Sequence, residues 1–497
     1  MSGVVVNEVR RGAYMDSVAL MRLSRTLAGL PGVIEATLMM ATPSNKKVMQ
    51  DAGILRSEGT AADPNDLVVA IKAIDETAAR AALEQANVLL RASKPAAPQS
   101  GSWSARTLRA AAKALPGANL ALISVPGEFA VAEARNALAA GLHVMMFSDN
   151  VAIEDELALK QEGRAHDRLI MGPDCGTAIL NGVPLAFANR VPRGDIGIVG
   201  ASGTGMQEVS CLIARAGKGV SQAIGVGGRD LSQRIGAIST LMAIDALDRD
   251  LDTERIVLIS KPPHPEVARR VLARVAESRK PFTICFLGAR TMDMPPNARL
   301  ASTLQGAAED ALGEALFGDF SPSLPPARQG RIAGLYCGGT LGAEAQVILL
   351  EAGRKVASNA AVPGAGTLED GRAADTIVDL GADEFTRGRP HPMIDPSLRE
   401  DMLRETLADP SVAAVLIDVV IGFCAYPDPA SRLAHILADA PRRAPIVVAS
   451  VTGTDQDPQV RARQVQVLHD AGALVAPSNA LAVRTALGYC GMQAAIR

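Results

Sequence analysis

Two stretches of this 497-residue chain set small residues where chemistry on an anion could be done. Gly194 to Ser210 reads GDIGIVGASGTGMQEVS and Gly330 to Gln346 reads GRIAGLYCGGTLGAEAQ; in each, an apolar run meets a Gly/Ser/Thr turn and then a helical pattern. The first amides of a helix lack partners and its dipole is positive there, so Gly203, Thr204 and Gly205, with the hydroxyls of Ser202 and Thr204, can cradle an oxyanion. Gly338, Gly339, Thr340 and Gly342 can do likewise in the second stretch. One such turn is equally well explained by the tight bend that glycine permits, and it is the matched pair that favours phosphate binding. Neither stretch ends in the Lys-Ser/Thr of a Walker loop. Neither is G-x-G-x-x-G followed by a ribose-binding acid, so a nicotinamide cofactor has little support.

Further candidates fall at the ends of apolar runs, where doubly wound sheets gather ligands. Arg229 follows a GVGG turn and could clamp a carboxylate through its guanidinium fork, or merely pair with Asp230. Lys261 follows RIVLIS and would bring positive charge to the phosphate, or else be a solvated loop residue. Asp174 in GPDCG and Asp418 in IDVVIGF are candidate substrate contacts. His391 shares a long loop, from about 358 to 397, with Arg387, Arg389 and Asp395; it could move a proton, and Arg389 could bind a substrate carboxylate. A reactive Cys175 is the weaker reading, since lone cysteines usually pack. No His/Asp/Glu spacing supports a catalytic metal, while a loosely held Mg²⁺ would leave little trace.

The elements that must position these residues follow from pattern. Residues 1–91 alternate short apolar runs with helical patterns and read as a small α+β domain; a Pro/Ser/Gly-rich linker, ASKPAAPQSGSWSA, follows. Residues 105–190, 194–318 and 329–497 alternate continuous apolar runs with helices, the signature of parallel βαβ units, and the last two domains open on the same plan. With 53 acidic against 50 basic residues there is no cationic footprint for nucleic acid. No apolar run has bilayer length and the amino terminus lacks a signal-peptide pattern, so a cytoplasmic location is expected. The six cysteines are scattered singly and imply no disulfide framework.

The order MGPDCGTAI, GDIGIVGASGTGMQE, AIGVGGRDLS, ERIVLISKPPHPEVARR and FTICFLG resembles the α subunit of succinyl-CoA synthetase, and residues 330 to 490 resemble the carboxy-terminal domain of its β subunit. The resemblance implies an α/β fold: a Rossmann-like domain and two flavodoxin-like doubly wound domains, preceded by the small α+β domain. In those synthetases two helices, one from each such domain, point their amino termini at a phosphoryl group. RRGAYMDSVALMRLSR, MGPDCGTAILNGVPLAFAN, GRPHPMIDPSLR, DVVIGF and VTGTDQDPQ resemble the FdrA family nearly end to end. That resemblance implies the large subunit of an oxamate carbamoyltransferase in allantoin breakdown, working with two further subunits in an oligomer.

Departures from the synthetase pattern shape the chemistry. No histidine lies between His264 and His391, where synthetases carry a phosphohistidine, and Lys261 replaces a supporting Glu. The coenzyme A loop has no clear equivalent before NLALISV, and no nucleotide-grasping domain is present, which weighs against coenzyme A binding and autonomous ATP use. The leading expectation is therefore a carbamoyltransferase subunit needing no cofactor, in which oxalurate and phosphate give oxamate and carbamoyl phosphate, with phosphate held between the two helix starts. The alternatives are an ADP-forming acyl-CoA synthetase with fused α- and β-like domains and a non-catalytic scaffold subunit.

Overall fold

The apolar runs become the strands of four sheets in a computed structural model. It describes residues 3–13, 15, 17–92, 105, 107–289, 291–318, 320–370, 374–386, 390–441 and 443–491. Two compact units are formed, Met1–Ala105 with Asp383–Asp395, and Arg106–Ala382 with Pro396–Arg497.

The first unit runs β1 (Val4–Arg10), α1 (Ser17–Ala28), β2 (Val33–Met40), α2 (Pro43–Asp51), α3 (Ser57–Thr60), β3 (Leu67–Ala73) and α4 (Glu76–Ala92). Its sheet is antiparallel in the order β1-β3-β2. Leu20, Leu23 and Leu27 of α1 and Ala79, Ala82 and Ala86 of α4 bury one face against Leu38, Val69 and Ile71. Met49 and Ile54 cover the other face over Met39, Val68 and Ala70, so alternate residues of β3 feed two cores.

The second unit begins with α5 (Leu108–Ala114), β4 (Leu120–Ile123), α6 (Gly127–Ala139), β5 (His143–Met146), α7 (Ile153–Ala165) and β6 (Ile170–Met171), a parallel three-stranded sheet. The hairpin β7 (Thr177–Leu180) and β8 (Val183–Ala186), which the sequence reading places with these strands, pairs instead with the next sheet through Ala223 and Ile179. That sheet adds β9 (Arg193–Gly200), α8 (Gly203–Arg215), β10 (Val220–Gly225), α9 (Ile238–Arg249), β11 (Arg255–Ser260), α10 (Pro265–Ala276), β12 (Phe282–Phe286), β13 (Ala298–Leu300) and α11 (Leu304–Leu312). Its order is β13-β12-β11-β9-β10-β7-β8.

The last sheet follows with β14 (Arg331–Tyr336), α12 (Gly339–Glu351), β15 (Val356–Ser358) and β16 (Asp375–Asp379). Then α13 (Asp383–Thr386) joins the first unit, before α14 (Ser397–Ala408), β17 (Val412–Val420), α15 (Pro429–Ala438), β18 (Ile446–Thr452), α16 (Arg461–Asp470), β19 (Leu474–Ala476) and α17 (Asn479–Tyr489). Its order is β15-β16-β14-β17-β18-β19. Helices on both faces explain the unbroken apolar runs: all nine residues of β17 are buried. In the two large sheets β9 lies between β10 and β11, and β14 between β16 and β17, so successive crossovers go to opposite sides and α8 and α12 each leave from the topological switch point. Among the described residues no helix is long and apolar enough to cross a membrane.

The two repeats are joined by exchanged caps. Glu208 of α8 accepts from Asn479 N, the first amide of α17, at 3.2 Å, and Glu344 of α12 accepts from Leu304 N, the first amide of α11, at 2.6 Å. Thr452 Oγ1 donates to Glu208, and Asn479 Nδ2 donates to Glu344 at 2.7 Å. Burial, reinforced by the charge of Glu208, pushes the Glu344 carboxyl up to about 7, against the pull of its two donors and Arg484. The folded state therefore holds this proton more tightly than the unfolded chain. Its stabilisation is complete below the unfolded carboxylate range and is lost as pH rises to about 7, an effect of order 3 kcal/mol. Relative to wild type, Glu344→Gln should gain stability between pH 5 and 7.5 in urea unfolding; a pH-independent difference would refute the assignment.

Candidate anion-binding site

Ser202 caps α8 by accepting from Gly205 N at 3.1 Å, and its hydroxyl meets Thr340 Oγ1 at 2.5 Å. This bond joins the two glycine-rich turns directly. A Cβ placed on Gly338 would stand 3.0 Å from Thr204 Cβ, and one on Gly205 would stand 3.1 Å from Thr340 Cγ2. The helix starts are thus in van der Waals contact, and the expected gap for a phosphate between them is closed in this conformation. The amides of Gly203, Thr204, Gly339 and Thr340 have no hydrogen-bond partner among the described residues, which is what an oxyanion at a helix start requires. Gly203, Thr204 and Gly339 are half-buried, so that side is open to solvent. The amides of Gly205 and Gly342 are already used, the latter by Gly338 O at 3.0 Å.

The two starts differ in charge. Asp418, a strand-end candidate, is fully buried and braces the second turn: its oxygens accept from Cys337 N at 2.8 Å and Gly338 N at 2.6 Å. Arg399 Nη1 donates to Asp418 O at 2.5 Å and approaches Oδ1 at 3.5 Å. Burial raises the Asp418 carboxyl, opposed by Arg399 and the two amides. The Asp379 carboxylate lies against the Cα of Gly339, where an added Cβ would collide with it. Two carboxylates therefore attend the start of α12, while the start of α8 has Thr177 Oγ1 as its neighbour at Gly203. The uncompensated positive end is that of α8.

The remaining candidates are dispersed. Lys261 is exposed at the end of β11, the strand beside β9, with no partner among the described residues. Arg229 is 46% exposed but committed, pairing with Glu156 at 2.9 Å and donating to Val151 O at 2.8 Å. Asp230 is not its partner: it binds buried Lys160 at 2.7 Å and the amides of Ser239 and Thr240, tying α9 to α7. Asp174 is exposed in a left-handed turn, φ 54°, at the mouth of β7. Burial pushes the Cys175 thiol up to about 12, which makes it a packing residue at neutral pH. His264 occupies the cap position of α10. His391 lies in the first unit; burial pushes its imidazole down to about 4, leaving it neutral at pH 7, and its Nδ1 accepts from Met393 N at 3.2 Å. Arg387 and Arg389 lie outside the described residues. Sequence reasoning passed over Arg399, Asp379 and the Glu208/Glu344 pair, although the shared Thr-x-x-x-Glu spacing of GTGMQE and GTLGAE was open to view.

Comparison with known proteins agrees with this architecture. Residues 335–488 match the CoA-ligase family, residues 193–288 the CoA binding domain, and residues 1–106 the AllF heavy metal-associated domain. The succinate–CoA ligase [ADP-forming] α subunit of Aquifex aeolicus is 30% identical over 151 residues, which are 29% of this chain and 48% of that subunit. A solved structure, the dinucleotide forming acetyl-coenzyme A synthetase 1 of Ca. Korarchaeum cryptofilum in complex with phosphate and ADP, aligns with 81% of this chain and 90% of its own at 15% identity, with a TM-score of only 0.32. Fold and site together define an α/β protein with succinyl-CoA synthetase-like CoA-ligase and CoA-binding domains. With 43% identity over 95% of its length and 96% of the relative, the chain belongs to the family of the Escherichia coli "Uncharacterized protein YahF".

The metal named for the family of residues 1–106 finds no suitable donors there. That stretch holds neither cysteine nor histidine, the soft and borderline ligands heavy metals prefer. Met39 and Met49 are spent in the core, and Asp66 is spent on Gly12 N at 2.8 Å and Asp63 N at 2.9 Å. Among the described residues no cluster of His, Cys, Asp or Glu could hold a metal ion. The purified chain, incubated with Zn²⁺ or Cu⁺ and desalted, should retain far less than one metal per chain by elemental analysis; stoichiometric retention would contradict this reading.

Proposed function

We propose that the chain is the acyl-transfer subunit of an acid–thiol ligase, working through an acyl phosphate whose phosphoryl group rests against the start of α8. The observation that carries this reading is the contact of two helix starts, set at the switch points of a domain that matches the CoA binding domain and one that matches the CoA-ligase family, with the amides of Gly203, Thr204, Gly339 and Thr340 unpartnered among the described residues. The transfer balances without a covalent enzyme intermediate. The thiol sulfur of coenzyme A attacks the acyl carbon, the C–O bond to phosphate breaks, and the thiol proton passes to the departing phosphate. The reverse reaction uses phosphate as nucleophile. The helix end stabilises charge on phosphate oxygens in either direction. In this reading Lys261, exposed at the neighbouring strand end, supplies a second positive charge and Asp174 is a candidate substrate contact.

A second reading, carbamoyl transfer in purine nitrogen catabolism of the FdrA type, is favoured by two specific features. No histidine lies between His264 and His391, and the sheet preceding the CoA-binding match has only β4, β5 and β6 among the described residues. Here a phosphate oxygen attacks the ureido carbon of oxalurate, the C–N bond breaks, and the phosphate proton passes to the oxamate nitrogen, leaving carbamoyl phosphate. Arg229 serves oxalurate or its product in that reading. Two partner subunits and an oligomeric complex belong to it as well.

Phosphorus NMR of the chain co-expressed with its genetic neighbours separates the two. Acyl-CoA and phosphate should give an acyl phosphate signal with release of free thiol, whereas the second reading gives carbamoyl phosphate from oxalurate without coenzyme A. In either, Thr204→Val, which removes one hydroxyl at the open face, should weaken phosphate binding about fivefold, the worth of one hydrogen bond of about 1 kcal/mol. Unchanged affinity would remove the helix start from the mechanism.

A further inference from the structure

Glu208 and Glu344 each occupy the sixth position of a thirteen-residue helix that begins at the proposed phosphate site. Both are buried, at 3% and 1% exposure, and neither carboxylate bonds within its own helix. Each crosses to the opposite repeat and ends on the first amide of a helix there, directly after a hydroxyl cap, Ser478 for α17 and Thr303 for α11. The cap of α17 is itself tied to the first turn of α11, because Ser478 Oγ donates to Gln305 Oε1 at 2.5 Å. Asn479 closes the circuit: its amide N–H donates to Glu208, while its side-chain Nδ2 donates to Glu344 and, at 2.9 Å, to Leu341 O in the first turn of α12. Roughly 7.5 Å of helix separates the sixth residue from the first, so a shift at the carboxylates is delivered along a rigid rod to the starts.

We propose that Glu208 and Glu344 are positioning residues for the anion site: by gripping each other's domains at equivalent points they set the contact between the starts of α8 and α12, and the phosphate-binding face exists only while both grips hold. This rests on the reading of the helix starts as the phosphate site. The charge environment differs between the two grips. Glu344 faces Glu208 and Arg484, and lies near Cys285 and Tyr336. Glu208 lies near Arg215 and Arg461, neither of which contacts its carboxylate at ion-pair distance. Because binding energies are reciprocal, phosphate at the starts must in turn strengthen the grip between the domains.

The test is calorimetric titration of the full chain with inorganic phosphate. Glu208→Ala should weaken phosphate at least tenfold although the carboxylate it removes bonds to Asn479 and Thr452 and to neither helix start. Glu208→Gln should stay within about twofold of wild type, because its amide oxygen can still accept from Asn479 N while the Thr452 hydroxyl turns to accept from the new amide. Rescue by the conservative variant distinguishes positioning from mere loss of fold. Wild-type affinity in a folded Glu208→Ala chain overturns the proposal, as does a Gln variant as weak as the Ala variant. Where Glu208→Ala does not fold, Glu208→Asp, one methylene short of the amide, is read in the same way. Should the wild type bind no phosphate, the functional reading fails, and the grip is judged separately by calorimetry. The two repeats should unfold in one transition in wild type and in two in Glu208→Ala/Glu344→Ala; a single transition in that double variant overturns the grip.

Discussion

Two helices present their positive ends to each other through the hydroxyl bond between Ser202 and Thr340, and much of the second unit can be understood as what makes that contact tolerable. Half a charge on each end, about 4 Å apart in an effective dielectric near 20, repels by about 1 kcal/mol. Asp418 offsets this at α12 by accepting two turn amides, with Arg399 behind it to keep the buried carboxylate compensated. Among the described residues no carboxylate accepts from an amide of the α8 turn. The result is a pair of helix starts whose field is asymmetric although its backbone is duplicated, and under the proposed reading it is the α8 side that takes the anion.

The contact also needs the repeats held in register, and the interface does this with polar groups, not apolar packing alone. Asn189 donates to Ile421 O and to Asp457, both at 2.7 Å, and accepts from Gln207 at 3.0 Å; Thr454 Oγ1 returns a bond to Arg190 O at 2.8 Å. An apolar interface tolerates sliding, because its energy varies smoothly with area. A buried amide or carboxylate that loses its partner costs about 1–3 kcal/mol, so a network of this kind admits one relative placement. The exchanged Glu208 and Glu344 caps extend the same constraint to α11 and α17, converting two similar domains into one platform.

The platform was legible in the sequence to the extent that it rests on period and punctuation. Unbroken runs such as VAAVLIDVV announced doubly buried parallel strands, and the glycine-rich turns announced helix starts at strand ends. The coming together of the two starts followed from resemblance to a family and not from pattern. What pattern could not give was the identity of partners far apart in the chain. Arg229 and Asp230 are adjacent in sequence yet pair with Glu156 and Lys160, because a turn sends neighbouring side chains in different directions. Asp418 looked like a ligand contact because it ends a strand at a switch point, where carboxylates that bind substrate and carboxylates that brace a turn have the same local sequence. The hairpin Thr177–Ala186 likewise has no periodic signal telling which of two sheets it will join.

The kind of donor at the α8 start bears on whichever transfer is performed. Phosphate held by backbone amides meets partial charges and keeps most of its own negative charge, whereas phosphate locked between guanidinium groups is neutralised and becomes a poorer nucleophile. The cations in this unit follow that division: Arg399 is consumed by Asp418, Arg229 by Glu156, and Lys261 is exposed at the adjoining strand end. Under the proposed reading, such a site binds phosphate weakly enough to react and to leave. A covalent phosphoenzyme asks for the opposite, a nucleophilic imidazole oriented beside the helix ends, and the segment after β12 offers none before His391. Attack by mobile phosphate on an acyl or carbamoyl carbon therefore suits these helix starts better than storage of a phosphoryl group on the chain.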